Sequence, residues 1–448
     1  MIHRRPPGPK GHPIWGHFGP FRHDALGFLT RCAAQYGDVA SFRLGRRRIA
    51  LVSHPDLIEQ VLVTDNRNFI KHFAFDLLRP TLGNGLLMSE GDLWLRQRRL
   101  MQPAFGPRRL DAYAATMVEH TRRLLAGWGD GQACDLHHEM LRLALAIVAQ
   151  VLLDVDTSRE ASDVSAGVDL LMVDFNYRFK NPFSWPLWLP TPWNLRVKRA
   201  LGRLNEIIQG IIAQRRASRE DRGDLLSMLV QARDELDGQG MSDQQLRDEV
   251  ITMFLAGHET TANVLSWTWY LLARHPQIEA RLHEEVDRVL AGRPPTAADM
   301  PKLVYTERVV LETMRLYPPA FVIGREAIEE CTVGGYRLAA GTTILMSQWV
   351  VHRDARWYEE PLCFNPDRWA PEVAERLPKY AYFPFGGGPR ICIGNRFAML
   401  EAVLIVATMA QQVRFKLAEG QEVVPWPAIT LRPAHGLAAT VERRNHGP

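Results

Sequence analysis

Residues 382–410 read YFPFGGGPRICIGNRFAMLEAVLIVATMA, and this stretch decides how the chain folds. Three glycines and a proline fix an irregular loop that can approach a flat partner closely. The sequence turns strongly helical right after Cys392, so its thiol is expected at a helix N-terminus. Free N–H groups and the helix macrodipole favour thiolate there. Such a thiolate is a nucleophile or a metal ligand, and a purely structural loop is the alternative. A nucleophile wants a histidine base, which the loop does not offer nearby. The other cysteines, at 32, 134, 331 and 363, form no CxxC pair with it or with each other. The odd count argues against a disulfide framework and a zinc finger, and for a reduced, cytoplasmic chain.

The composition around this stretch is that of a globular protein. Of 448 residues, 46% are hydrophobic and 23% charged, which excludes collagen-like, disordered and coiled-coil classes. A net charge of +4 is too small to argue for nucleic acid. The lead, MIHRRPPGPKGHPIWGHFGP (1–20), has no apolar core of a signal peptide; its prolines read as a stiff, extended entry. No run of about eighteen uncharged apolar residues occurs, so no membrane span or anchor is expected. ALGFLTRCAAQYG (25–37) reads as an amphipathic helix and VASFRLGRRRIALVS (39–53) as two strands across a basic turn. Helical periodicity dominates from Asp92 to residue 290. NPFSWPLWLPTPWN (181–194) interrupts it, as a surface loop or part of a substrate entrance. Short strands are expected in 331–347 and 413–443. The chain reads as one mainly helical unit with a minor β portion.

The longest helix starts at Ser242, with Gln245 completing a possible capping box, and should stop before Pro276. At about 1.5 Å per residue it spans roughly 50 Å. Its centre, FLAGHETTA (254–262), places Gly257 and the β-branched pair Thr260–Thr261 where helices disfavour them. A polar group of residues at a buried midpoint usually serves a function.

Phe385, Gly388, Arg390, Cys392 and Gly394 form F-x-x-G-x-R-x-C-x-G, which resembles the haem-binding loop of the cytochrome P450 superfamily. AGHETT (256–261) resembles the oxygen-activation segment of that family's long central helix, Ala256 included. Glu312 and Arg315 resemble its E-x-x-R pair, and FNPDRW (364–369) the segment whose arginine, Arg368, completes that cluster. Trp94 and Arg98 resemble its W-x-x-x-R, and PPGP its proline hinge. The resemblance covers essentially the whole chain. It implies the P450 fold over 1–448, a single large domain with haem b between the long central helix and the Cys loop.

By the same resemblance Cys392 is the axial iron ligand and Phe385 packs beside its sulfur, with Gly394 in the same loop. Arg390, Trp94, Arg98 and Arg325 are the propionate donors. Glu259 and Thr260 are the catalytic pair, since oxygen activation needs two protons delivered to a buried site. His258 is read as a satisfied neighbour. Glu312, Arg315 and Arg368 are assigned to folding and haem retention, because a buried network of this kind is costly to break on one side. The substrate walls fall on Phe73, Leu86, Leu87, Met172, Phe254, Val322 and Ile429, apolar as such sites are.

The reading is a haem-thiolate monooxygenase hydroxylating an apolar small molecule, a terpenoid, fatty acid or similar, with O2. Coupling, desaturation or peroxide-driven oxidation on the same haem is the alternative, and a haem gas sensor the non-enzymatic one. No fused reductase is expected. Electrons should come from a ferredoxin or flavodoxin with its NAD(P)H reductase, for which Arg96, Arg99, Arg108 and Arg109 could form a docking face.

Overall fold

The computed structural model describes residues 5–154, 167, 170–171, 173–175, 177–178, 181, 184–218, 222–236 and 238–444. The helices used below are α1 (Ala25–Tyr36), α2 (Gly91–Met101), α3 (Leu136–Leu153), α4 (Pro192–Ser218), α5 (Asp243–Arg274), α6 (Val304–Leu316) and α7 (Asn395–Ala410). The strands are β1 (Val39–Leu44), β2 (Arg47–Val52), β3 (Phe69–Ile70), β4 (Ala133–Asp135), β5 (Ile323–Ala327), β6 (Thr343–Met346), β7 (Val413–Leu417) and β8 (Ala438–Arg443). By its contacts the chain divides into two compact units. One comprises Met1–Phe75, Leu311–Cys392 and Thr430–Arg432, the other Asp76–Val310, Ile393–Ile429 and Pro433–Pro448.

The first unit is built on a five-stranded sheet of order β1-β2-β6-β5-β3. β2 pairs antiparallel with β1 and parallel with β6, and its last four residues, IALV, are all buried. A strand covered on both faces reads as a continuous apolar run. The period of two sorts these side chains between two cores. Ala50, Val52, Ile344 and Met346 join Ile58, Leu62 and Phe383, while Ile49, Leu51 and Leu345 join Phe28, Leu29 and Phe42. Each large apolar side chain so buried contributes about 1.5–3 kcal/mol. The proline lead docks on β1: the Ser41 N–H donates to the Pro7 carbonyl at 2.6 Å and its hydroxyl to Pro6 at 2.7 Å.

The second unit is organised on α5. The Ser242 hydroxyl accepts the Gln245 N–H at 3.2 Å, and the helix ends at His275 before Pro276. α3 lies along α5, and Gly257 explains itself there. A Cβ at that position would stand 2.8 Å from Val148 Cγ2, so glycine permits the close crossing. The His137 ring and the Ser266 hydroxyl are hydrogen-bonded across the same contact at 3.0 Å. α3 is long and apolar enough to cross a membrane, yet 67% of it is buried inside the protein, as in a core helix. The helical run from Asp92 is interrupted by β4, which pairs with β8; β8 pairs in turn with β7. Three residues carry too little pattern to reveal such a strand beforehand.

Candidate active site

In the first unit, packing dictates the glycines of the Cys loop. Gly388 has φ +66°, and a Cβ there would enter the Leu62 carbonyl; one on Gly387 would enter the Tyr380 ring. The Cys392 N–H donates to the Phe385 carbonyl at 3.0 Å, closing the loop below the thiol. Cys392 is exposed, Phe385, Arg390 and Gly394 half-buried, and α7 begins three residues after the cysteine. Arg325 on β5 is half-buried and gives one N–H to the Gly324 carbonyl at 2.9 Å. Phe73 lies under the Arg47 guanidinium, 4.3 Å from the ring centroid. Val322, with Tyr317 and Trp349, packs against the buried cluster of Leu26, Phe321 and Leu431.

Behind this loop stands a saturated ionic cluster. Glu312 on α6 accepts Arg315 Nε and Nη2, each at 2.8 Å, and Arg368 Nε at 3.3 Å. The Asn365 N–H at 3.0 Å and Trp369 Nε1 at 3.1 Å complete its shell. Arg315 in turn donates to the carbonyls of His352, Pro361 and Cys363. The cluster reaches the Cys loop through His352, whose Nε2 accepts the Phe383 N–H at 3.0 Å. Burial, then Arg315 and Arg353, hold that imidazole well below its usual range, so it stays neutral and able to accept.

In the second unit, the centre of α5 is buried at His258, Glu259 and Thr261. Ala256 is exposed and Thr260 half-buried. His258 Nδ1 is hydrogen-bonded to the Phe254 carbonyl at 2.9 Å. The Thr260 hydroxyl donates to the Ala256 carbonyl at 2.6 Å. Phe254 must be corrected as a substrate wall: at 0% exposure it is core. Two residues before Ala256 it points about 200° around the helix, away from the open side.

Asp248, Thr252, Ala256 and Thr260, four residues apart, share one stripe of α5, and its first turns clamp the loop 83–88. Asp248 accepts the Asn84 N–H at 2.8 Å, and Glu249 the Leu86 N–H at 2.8 Å. A Cβ on Gly85 would enter the Thr252 hydroxyl. The loop that carries Leu86 (buried) and Leu87 (half-buried) is therefore set one helical turn before Ala256. None of Asp248, Glu249 or Thr252 was expected; the GNG triplet at 83–85 was the available sign of a close backbone approach.

Trp94 and Arg98 are half-buried on α2, one turn apart and so on one face. Arg96 and Arg99 do not form a free docking face: both pair with Asp234, at 3.5 and 2.9 Å. Arg108 is exposed. Ile429 is half-buried. Met172 lies outside the described residues.

Glu401, midway along α7 and 0% exposed, was also missed. It accepts the Thr261 hydroxyl at 2.8 Å. Burial pushes its carboxyl up to about 8, with only that hydrogen bond opposing. The signal was a lone acid in the apolar run FAMLEAVLIV.

The family model for Cytochrome P450 matches residues 6–435. Cyclooctatin synthase of Streptomyces melanosporofaciens is 41% identical over 94% of this chain and 92% of its own length. Cyclooctat-9-en-7-ol 5-monooxygenase of the same organism is 37% identical, over 92% and 90%. Pentalenene oxygenase of Streptomyces avermitilis is also 37% identical, over 98% and 97%. Among solved structures, the haem domain of cytochrome P450DA superposes with a TM-score of 0.89 at 26% identity, covering 99% of both chains. Retinoic acid-bound cyanobacterial CYP120A1 gives 0.87 at 26%, over 99% and 100%. With a glycine-constrained loop presenting one exposed thiol, and relatives this similar over nearly their full length, the chain belongs to the cytochrome P450 family.

Proposed function

We propose that this P450 monooxygenase hydroxylates a cyclic terpenoid, and that Cys392 is its iron ligand. The observation that carries the reading is the exposed Cys392 thiol on a loop whose backbone admits only glycine at its tightest points. On the first unit the donor set fits haem: one thiol for the iron, and Arg390 and Arg325 as N–H donors suited to carboxylates; Trp94 and Arg98 of the second unit are donors of the same kind. The exposed Ala256, between the buried Leu255 and the half-buried Gly257, is a surface that a flat ligand can cover. Haem held by a thiolate supplies the activation of O2, one atom entering a C–H bond and the other leaving as water.

The protein's own part is to orient the substrate and to move protons. Because the Thr260 hydroxyl gives its hydrogen to Ala256, its oxygen is left to accept. It thus orients a proton-bearing water and need not surrender its own proton. Glu259, buried in the same turn, is the acid behind it. Retention of both favours the O2 route over a peroxide-driven one. The terpenoid assignment follows the relatives, two of which are named for cyclooctat-9-en-7-ol and pentalenene, and it suits the apolar walls. Electrons come from redox partners, for which we infer a ferredoxin or flavodoxin with its reductase.

The test is the carbon monoxide difference spectrum of the reduced protein, followed by substrate-induced spin shifts with cyclic terpenes and fatty acids. A far-red Soret band in the wild type, lost in Cys392→Ser, is the expected result. Retention of the band in the variant removes Cys392 as ligand. A spin shift with fatty acids and none with terpenes removes the terpenoid assignment.

A further inference from the structure

The tryptophan- and proline-rich segment has no part in the chemistry above, and its construction is unusual. Trp185 is 63% exposed and Trp188 74%, with Val173, Tyr177 and Leu195 exposed nearby. These indoles are not on a slack loop. Arg178, buried, donates to the Trp185 carbonyl at 2.9 Å and to Asn194 Oδ1 at 2.7 Å. Asn194, also buried, donates to the carbonyls of Pro186 and Leu189 at 2.8 and 2.9 Å. Asp174 anchors the set, accepting Arg178 Nε at 2.7 Å and Trp193 Nε1 at 2.8 Å. A buried polar core thus grips the loop by its carbonyls and holds two large apolar side chains out in water. Ordering apolar surface without burying it has no folding rationale, and such patches mark a binding surface.

The charges beside the patch decide what binds. From Ser184 to Asn205 the chain has four cations and no anion. Arg196, Lys198 and Arg199, in the first turns of α4, are exposed and none is paired with a carboxylate among the described residues. A second copy of this chain docking through the same patch would set these cations against their own kind. Indoles that settle at the headgroup level, ringed by Lys and Arg, are instead the composition of a surface that lies on a lipid bilayer. We propose that the Ser184–Pro192 loop and the start of α4 form a peripheral docking site for an anionic lipid bilayer. The indoles of Trp185 and Trp188 enter the interfacial region, and Arg196, Lys198 and Arg199 meet lipid phosphates. This does not depend on which substrate the enzyme takes.

Co-sedimentation of the haem-loaded protein with vesicles tests it, using phosphatidylcholine alone and phosphatidylcholine mixed with phosphatidylglycerol. The wild type should sediment with the anionic vesicles. Trp185→Ser combined with Trp188→Ser should lower its partition coefficient roughly tenfold, and Arg196→Gln, Lys198→Gln and Arg199→Gln together should remove the preference for the anionic lipid. The haem spectrum should be the same in all three proteins, since the changes are on the surface. Failure to sediment with either vesicle overturns the proposal, as does binding that ignores both sets of substitutions. A concentration-dependent dimer in sedimentation velocity, abolished by the tryptophan changes, would instead assign the patch to a second copy.

Discussion

Glu312 and Glu401 are both 0% exposed, and their surroundings are opposites. Five N–H groups converge on Glu312. Glu401 receives one hydroxyl at Oε2, and its Oε1 has no hydrogen-bond partner among the described residues. Full saturation makes a buried carboxylate a fixed anion around which carbonyls and arginines can be arranged. Sparse solvation instead favours the protonated acid. The first region is scaffold, where nothing should change during turnover. The second lies next to Thr260 and keeps polar capacity in reserve.

The largest effect should come from breaking the saturated region on one side. Glu312→Ala leaves Arg315 and Arg368 buried without their carboxylate, a loss of about 3–5 kcal/mol. We expect a steep drop in the thermal midpoint and little far-red Soret absorbance in the carbon monoxide spectrum. A variant that folds and loads haem normally would erase the contrast between the two regions.

Thr260→Ala should do the reverse. The fold and the carbon monoxide spectrum should persist, while NADPH consumption uncouples from product and peroxide release rises several-fold, in line with lost proton delivery. Unchanged coupling sinks the proton role of Thr260. Gly85→Ala comes next in size. Its Cβ would enter the Thr252 hydroxyl and displace the loop 83–88, typically costing about 1–3 kcal/mol as overpacking. Substrate titration should show weaker spin shifts without loss of haem. Gly202→Ala, with open space at its Cβ, is the comparison and should leave the titration unaltered.

Local signals made much of this legible in the sequence. Ser242 and Pro276 bound α5 correctly because caps and proline act on the nearest turns. The Cys loop was readable because its constraint lies within ten residues. What could not be read are contacts between distant parts of the chain. Asp248 meets Asn84 and Glu401 meets Thr261 with no pattern linking the partners. Arg96 and Arg99 read as part of a docking face, yet both pair with Asp234, some 135 positions on. Phe254 read as a wall because sequence position places a residue in the right turn but leaves its direction unfixed.

The smallest effect is also the most specific. The folded Glu401 carboxyl gives up its proton near pH 8, and the unfolded one near 4.5. Between those values the folded state binds the extra proton, so stability falls as pH climbs through this window and levels off above it. The slope from one such group is at most about 1.4 kcal/mol per pH unit. Other buried groups titrate too, Glu279 being raised to about 7 by burial, so the readout is the difference between wild type and a variant at Glu401. Glu401→Gln removes one titration and keeps an oxygen for Thr261. The difference between the two proteins should therefore be small near pH 4.5 and should grow toward pH 8 in favour of the glutamine variant. Parallel curves would show that Glu401 is ionised in the native protein. Glu401 would then be a second saturated anion like Glu312, solvated by water, and the distinction between the two regions would fail at the residue on which it rests.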